Sequence, residues 1–174
     1  MILLAAPAWA ECPAPPDHGK ALGDLIEQAQ TAPNEATGRS LSNRMWKLWT
    51  DAPDAHAQNL LESGMSRREI YDFNAAIRAF DALVDYCPGY AEGYNQRGFI
   101  HYLREEFDKA LPDLQAALEL QPRHVAARTG LALTLMALDR KAEAALELRA
   151  ALELNPWLGE RHLLPVLEAE EEDL

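Results

Sequence analysis

The chain has 174 residues, 48% of them apolar, which is enough to bury one sizeable core and predicts a single domain. Its 28 acidic and 16 basic residues give a formal net charge of −12 at pH 7, a balance that repels a phosphate backbone and argues against nucleic-acid binding. No stretch reaches the about 18 consecutive apolar residues of a membrane-spanning helix, so no transmembrane segment is predicted.

The first ten residues resemble a signal peptide. Residues 2–6 form a short apolar run, and Ala8, Trp9 and Ala10 give the small-x-small pattern that signal peptidase accepts. This pattern predicts cleavage after Ala10 and a periplasmic or secreted protein. The run is short and no basic residue precedes it, which a translation start upstream of Met1 would explain. The alternative is an apolar arm packed on the fold, in a cytoplasmic adaptor that keeps residues 1–10.

Residues 11–17 form a proline-rich arm, and helical periodicity begins after it. Apolar side chains recur at helical spacing in two segments, near residues 18–31 and 35–51. Pro33 interrupts the pattern, and Asn34 is suited to cap the second helix. We therefore expect a helical hairpin within residues 18–56. No alternating apolar and polar pattern of useful length occurs, so the predicted fold class is all-α.

Residues 57–156 contain one pattern three times. The phrase ALELQPRH begins at Ala117, and ALELNPWL begins 34 residues later at Ala151. The prolines that end the three units share this spacing: Pro88, Pro122 and Pro156. Small residues recur where two antiparallel helices would approach closely, namely Gly64, Gly98 and Ala132 in the first helices and Ala76, Ala110 and Ala144 in the second. Each unit (57–90, 91–124 and 125–156) therefore resembles a tetratricopeptide repeat, a helix-turn-helix motif.

The resemblance implies an α-solenoid of antiparallel helix pairs. One such unit cannot bury its apolar face alone, and arrays of this family need about three units with atypical ends. The expected ends are a degenerate N-terminal hairpin at residues 18–56, and a C-terminal capping helix with an acidic tail at residues 157–174. Together with the predicted signal peptide, this organisation is similar to that of short exported bacterial members of the family.

In this family the first helices line a concave surface that binds peptides. The resemblance implies eight partner-binding residues: Leu61, Met65 and Arg68 in the first unit, Asn95, Phe99 and Tyr102 in the second, and Leu133 and Met136 in the third. A largely apolar surface with Met and aromatic side chains suits an apolar or amphipathic segment of a partner protein. The alternative is that the chain's own C-terminal helix fills the groove, through Leu163, Leu164, Val166 and Leu167.

Some members of the family hold the acidic C-terminal tails of chaperones in a clamp of Lys, Asn and Arg side chains. The matching positions in this chain carry Leu61, Met65, Gln96, Ala126 and Gly130. The resemblance therefore does not extend to the clamp.

Catalytic and metal-binding motifs are not recognisable. The sequence has no phosphate-binding glycine loop, no His-Glu-x-x-His and no Cys-x-x-Cys motif. No two of its histidines have the spacing of metal ligands on one helix face. We therefore expect a protein without enzymatic activity, cofactor or metal, which acts as a scaffold for protein–protein interaction in envelope assembly. A cell-wall-acting enzyme or a chaperone-like factor is the alternative.

Cys12 and Cys87 are the only cysteines. In an exported chain an even count favours a disulfide, whereas a cytoplasmic pair would stay reduced. In the tetratricopeptide fold, the start of each first helix and the end of each second helix lie at the same edge, which would bring the two thiols together. A free Cys12 with a buried Cys87, or a bond between chains, is the alternative.

Overall fold

The computed structural model describes residues 11–172, and the expected signal peptide at residues 1–10 lies outside this range. The described part is helical and contains no strand, so the all-α fold class is confirmed. Its elements are α1 (Gly19–Gln30), α2 (Glu35–Trp49), α3 (Ala55–Glu69), α4 (Phe73–Tyr86), α5 (Ala91–Leu103), α6 (Phe107–Leu120), α7 (Val125–Ala137), α8 (Lys141–Leu154), a 3-10 turn (Gly159–Leu163) and α9 (Leu164–Glu172).

Polar side chains cap several of these helices at their first turn. Asn34 Oδ1 accepts a hydrogen bond from a backbone N–H of α2 at 2.9 Å, and Asp54 Oδ1 accepts one from α3 at 2.8 Å. Asp72 and His124 do the same for α4 and α7. These bonds satisfy N–H groups that have no partner inside the helix, so each cap determines where its helix begins.

Six helices form three antiparallel pairs, α3 with α4, α5 with α6 and α7 with α8, and the pairs stack in chain order. The glycines of the first helices permit this close packing. A Cβ atom on Gly98 would lie 2.9 Å from Leu114 Cγ, and one on Gly64 would collide with the ring of Phe80. The three pairs therefore build the predicted α-solenoid.

The turn inside each pair is repeated as well. Tyr71, Glu105 and Asp139 follow the three first helices and have positive φ angles of 61°, 60° and 59°. A left-handed backbone is uncommon for residues other than glycine, and it is least favourable for a bulky side chain such as that of Tyr71. The shared geometry shows that all three pairs turn in the same way although their turn residues differ.

Two apolar clusters fill the array. The first belongs to α3, α4 and α5, and it contains the fully buried side chains of Leu61, Phe80 and Leu83. The second lies between the second and third pairs, around Leu114 and Leu148. Each pair thus buries its apolar face against the next, as a solenoid requires.

The C-terminal helix α9 extends the second cluster. It packs against α8, where Leu167 is 4% exposed and Leu163 and Leu164 are half-buried. Val166 is exposed. An ion pair between Arg149 Nη2 and Glu168 Oε1, 2.6 Å long, also joins α8 to α9. The apolar side chains of the C-terminal segment, which were the alternative occupants of the groove, therefore cover the end of the array or face solvent.

The N-terminal hairpin, α1 and α2, folds back along the array. Its own apolar cluster includes Leu25 and Met45, and it is joined by Val125 at the start of α7. α1 packs against α8, and Gln30 Nε2 donates to the carbonyl of Glu153, 123 residues away, at 2.7 Å. The hairpin is therefore held against the third pair.

Two aromatic contacts anchor α2 to the array. The Tyr90 hydroxyl donates to the carbonyl oxygen of Trp49 at 2.6 Å, and the indole of Trp49 stacks on the ring of His124 with centroids 4.4 Å apart. Burial raises the pKa of Tyr90 far above its ordinary value, so this hydroxyl remains protonated and able to donate.

Cys12 and Cys87 form a disulfide, with their Cα atoms 5.2 Å apart. The bond joins the proline-rich arm before α1 to the end of α4, where Cys87 is buried. The start of the hairpin is thus attached to the first pair, while its helices pack against the third.

Candidate functional site

A groove of about 300 Å³ lies along the first helices of the array. Most of its lining comes from α3, α5 and α7, and residues of α2 and of the segment after α8 complete it. We call it the central groove. Its lining residues are Trp46, Arg68, Asn95, Gln96, Phe99, Ala126, Thr129, Gly130, Leu133, Leu158 and Glu160.

The structure divides the eight predicted partner-binding residues into two groups. Four of them line the central groove: Arg68, Asn95, Phe99 and Leu133. The other four pack into the array: Leu61, Met65, Tyr102 and Met136. Leu61 has no exposed surface, and Tyr102 lies against the Phe107 ring with centroids 5.7 Å apart. Four of the eight predicted residues therefore line the central groove, whereas Leu61 is fully buried and Met65, Tyr102 and Met136 are partly buried elsewhere in the array.

Trp46 and Leu158 are lining residues that the sequence pattern did not indicate, because neither belongs to a first helix. Trp46 lies beside the buried stripe of α2, which includes Met45 and Trp49, and it is only partly buried against the cluster of the hairpin. The feature of the sequence that could have indicated Trp46 as a lining residue is the presence of a further tryptophan next to that buried stripe. With Ala126, these two residues also line a smaller adjoining cavity of about 230 Å³.

Among the large apolar side chains of the groove, Phe99 is the most exposed, with 37% of its surface accessible to solvent. The Arg68 guanidinium lies over its ring, 5.6 Å from the centroid, and donates from Nη1 to Gln96 Oε1 at 2.7 Å. A cation over an aromatic face is attracted by the electrons of the ring. These contacts hold both side chains in place before any ligand arrives.

A buried polar network lies behind this part of the groove. Glu92, in the first turn of α5, is 1% exposed, and its carboxylate accepts hydrogen bonds from Asn95 at 3.1 Å, Gln96 at 2.5 Å and His124 at 2.8 Å. The N-terminal end of a helix also favours a negative charge. These donors compensate for the loss of water around the carboxylate.

His124 connects the network to the hairpin. Its Nδ1 accepts from the backbone N–H of Ala127 at 3.2 Å, so the ring proton is on Nε2, which donates to Glu92. The face of the ring stacks on Trp49. Arg68 in the groove is therefore connected through Gln96, Glu92 and His124 to α2.

A second cavity, of about 460 Å³, lies between the proline-rich arm, the hairpin and the loops before α5 and α7. His18 Nε2 lies 2.7 Å from Asp51 Oδ2 at its edge, and Arg123 donates to the carbonyl of Gly19 at 2.9 Å. Its lining contains no Ser, Thr, Cys or Lys. The cavity therefore has a paired histidine but lacks the nucleophiles that a neighbouring histidine usually activates.

Residues 11–172 offer neither a cluster of metal ligands nor a membrane-spanning helix. No group of three or more His, Cys, Asp or Glu side chains in this range is placed to hold a metal ion. Within the same range no helix is both long and apolar enough to cross a membrane.

Comparison with known sequences supports the interpretation of the repeats. The tetratricopeptide repeat family model matches residues 91–124. A TPR repeat-containing protein of Rhizobium etli is 25% identical over 111 residues, which cover 64% of this chain and 54% of that protein. The tetratricopeptide repeat protein 36 homolog of Nematostella vectensis is 38% identical over 64 residues, covering 37% of this chain and 35% of that protein. The chain thus spans about half or less of the length of these relatives.

Solved structures show the same fold. The first TPR of Spaghetti (RPAP3), bound to an HSP90 peptide, superposes with a TM-score of 0.65 at 21% identity, covering 67% of this chain and 93% of that one. MamA from Desulfovibrio magneticus RS-1 superposes with a TM-score of 0.62 at 18% identity, covering 92% of this chain and 89% of that one. The likeness to MamA includes most of the described residues.

Proposed function

Since the chain carries a tetratricopeptide repeat in a solenoid of the tetratricopeptide type, we propose that it is a non-catalytic module that binds a peptide segment of a partner protein in the central groove. The proposed ligand is apolar or amphipathic. The observation that carries the proposal is the position of Phe99, a partly exposed aromatic held by Arg68 in a groove that Leu133 and Trp46 also line. Rigid aromatic anchors of this kind often dominate binding energy.

The similar solved structure of the first TPR of Spaghetti (RPAP3) contains a bound HSP90 peptide, which supports a peptide as the class of ligand for this chain. The positions that would form a carboxylate clamp here include Leu61, which is buried, and Ala126 and Gly130, which have no charge. The groove of this chain therefore suits apolar side chains better than a terminal carboxylate.

The groove can be tested by replacing its apolar anchors with charged residues. Peptides are selected from a random phage-displayed library on the wild-type protein, and their affinities for Phe99→Asp and Leu133→Asp are measured by fluorescence anisotropy. Each variant should lose at least about tenfold in affinity, because an interface anchor contributes more than neighbouring contacts.

Ile70→Asp is the matched control, since Ile70 is 65% exposed and lies at the turn after α3, outside the groove. It should bind the selected peptides as the wild type does. If no peptide is selected, or if the groove variants and the control bind equally, the groove is not the binding site.

We also propose that the chain is a short exported bacterial protein that acts as a scaffold in the cell envelope. The disulfide between Cys12 and Cys87 supports this, because such bonds persist in oxidising compartments and are rare in the cytoplasm. The small-x-small pattern that ends at Ala10 supports cleavage just before the arm that contains Cys12.

Intact-mass spectrometry of the protein from its source cells tests the export proposal. The expected mass is that of a chain beginning at Glu11 with one disulfide. A mature chain that keeps residues 1–10 and has two reduced thiols would contradict export and favour the cytoplasmic adaptor.

A further inference from the structure

The central groove carries side chains of opposite charge on its first and last elements. Arg68 lies in the last turn of α3, the first helix of the array, and Glu160 lies in the segment that follows α8. Both line the same groove. The cation therefore comes from the first pair of the array and the carboxylate from the segment after the third pair.

Neither charge forms an ion pair within residues 11–169, whose side chains the structure describes. Arg68 donates one N–H to Gln96, an uncharged side chain, and the guanidinium has further N–H groups available. The nearby carboxylate of Glu92 is buried and is bound by Asn95, Gln96 and His124. Arg68 therefore retains a charge that a ligand can meet.

The middle of the groove is apolar and is bounded on one side by residues outside the repeats. Phe99 and Leu133 come from the first helices, whereas Trp46 and Leu158 come from the hairpin and from the segment after α8. The hairpin is held in place by the contacts of Trp49 with Tyr90 and His124. A groove with this extra wall suits one extended chain.

We propose that the central groove binds a single extended segment of a partner protein with an acidic side chain opposite Arg68, apolar side chains in the middle and a basic side chain opposite Glu160. This inference rests on the proposed function and specifies its ligand. Complementary charges at the two ends select the ligand and determine its direction, while Phe99 and Leu133 receive its apolar side chains.

The length of the ligand follows from the helix spacing. Packed helices lie about 8–10 Å apart, and an extended peptide advances about 3.3 Å per residue. The two steps from α3 through α5 to α7 therefore match on the order of five to six residues, and a peptide of about eight residues covers this span together with a charged residue at each end.

Four synthetic peptides with blocked termini test the proposal. They share a middle of alternating Leu and Ser within a length of about eight residues, and their end residues are Glu with Lys, two Glu, two Lys, or two Gln. Affinities are measured by fluorescence anisotropy for the wild type, Arg68→Glu and Glu160→Lys. Blocked termini ensure that the side chains alone provide the charge.

The wild type should bind the peptide with Glu and Lys about three- to tenfold more tightly than the other three, a range expected for partly exposed ion pairs. Arg68→Glu should instead prefer the peptide with two Lys, and Glu160→Lys the peptide with two Glu. These preferences do not depend on the direction of the peptide backbone, and they should shrink in 1 M salt, where the screening length is about 3 Å.

Arg78→Glu is the control for net charge, because Arg78 is exposed on α4 and does not line the groove. It should keep the wild-type order of preference. Arg68→Gln, which keeps a side chain able to bond Gln96, should lose the preference for Glu at one end even if Arg68→Glu fails to fold.

Two results would overturn the inference, and they are distinguishable. If all four peptides bind the wild type and the variants equally well, the groove binds peptides but its charges do not select them. If none of the four binds the wild type, the peptide class is wrong, and failure to select any peptide from the random library would also remove the proposed function.

Discussion

Cys12→Ala is expected to lower the free energy of unfolding by about 4 kcal/mol, measured by urea denaturation under oxidising conditions. The disulfide closes a loop with a sequence separation of 75 residues, and a cross-link of this span restricts the unfolded chain strongly in the chain-entropy model. Cys12 lies on the partly buried arm, so its replacement removes the bond and leaves the buried side chain of Cys87 in place.

Reduced wild-type protein is the matched control for this variant. It should unfold at the same urea concentration as Cys12→Ala, and oxidised wild type should show no free thiol before reduction. An oxidised wild type that unfolds together with Cys12→Ala would mean that the bond does not stabilise the fold, and two free thiols would mean that it is not formed in solution.

His124→Ala is expected to lower the free energy of unfolding by about 3–5 kcal/mol, the cost typical of breaking a buried charged pair. The change removes a donor from the buried carboxylate of Glu92, the acceptor that caps α7 and the ring that stacks on Trp49. Removing one partner of a buried charged group is costly because the remaining charge has neither water nor its hydrogen bond. Thermal or urea unfolding followed by circular dichroism measures the loss.

His162→Ala serves as the control, since His162 is exposed in the 3-10 turn and should cost less than about 0.5 kcal/mol. Adding Glu92→Gln to the His124→Ala variant should recover part of the stability, because an amide replaces the buried charge. Equal costs for His124→Ala and His162→Ala would show that the buried network contributes little.

The helices of the hairpin illustrate what local signals can predict. The expected segments near 18–31 and 35–51 correspond to α1 at Gly19–Gln30 and α2 at Glu35–Trp49. Pro33 stops the first helix and Asn34 caps the second, so both boundaries depend on residues next to them in the chain. Such signals act before the chain has any tertiary contacts.

The candidate site was only partly predictable, as Leu61 and Phe99 show. Both occupy family positions on a first helix that were expected to face the groove. Leu61 is fully buried because α3 and α4 close tightly around Phe80, whereas Phe99 remains partly exposed on α5. Successive residues of a helix are rotated by about 100°, so the periodicity of the sequence assigns each residue to a face of the helix. How deeply that face is buried depends on the neighbouring helix, which the periodicity does not specify.

The sequence by itself determined the all-α class and the three helix pairs with the prolines that end them, because periodicity, small residues and prolines act within one unit of 34 residues. Only the tertiary structure decided where the hairpin lies and therefore that Trp46 joins the central groove. That placement depends on contacts such as Tyr90 with Trp49 and Gln30 with Glu153, which are 41 and 123 residues apart. No repeated spacing links such pairs, so their meeting results from the fit of two folded surfaces.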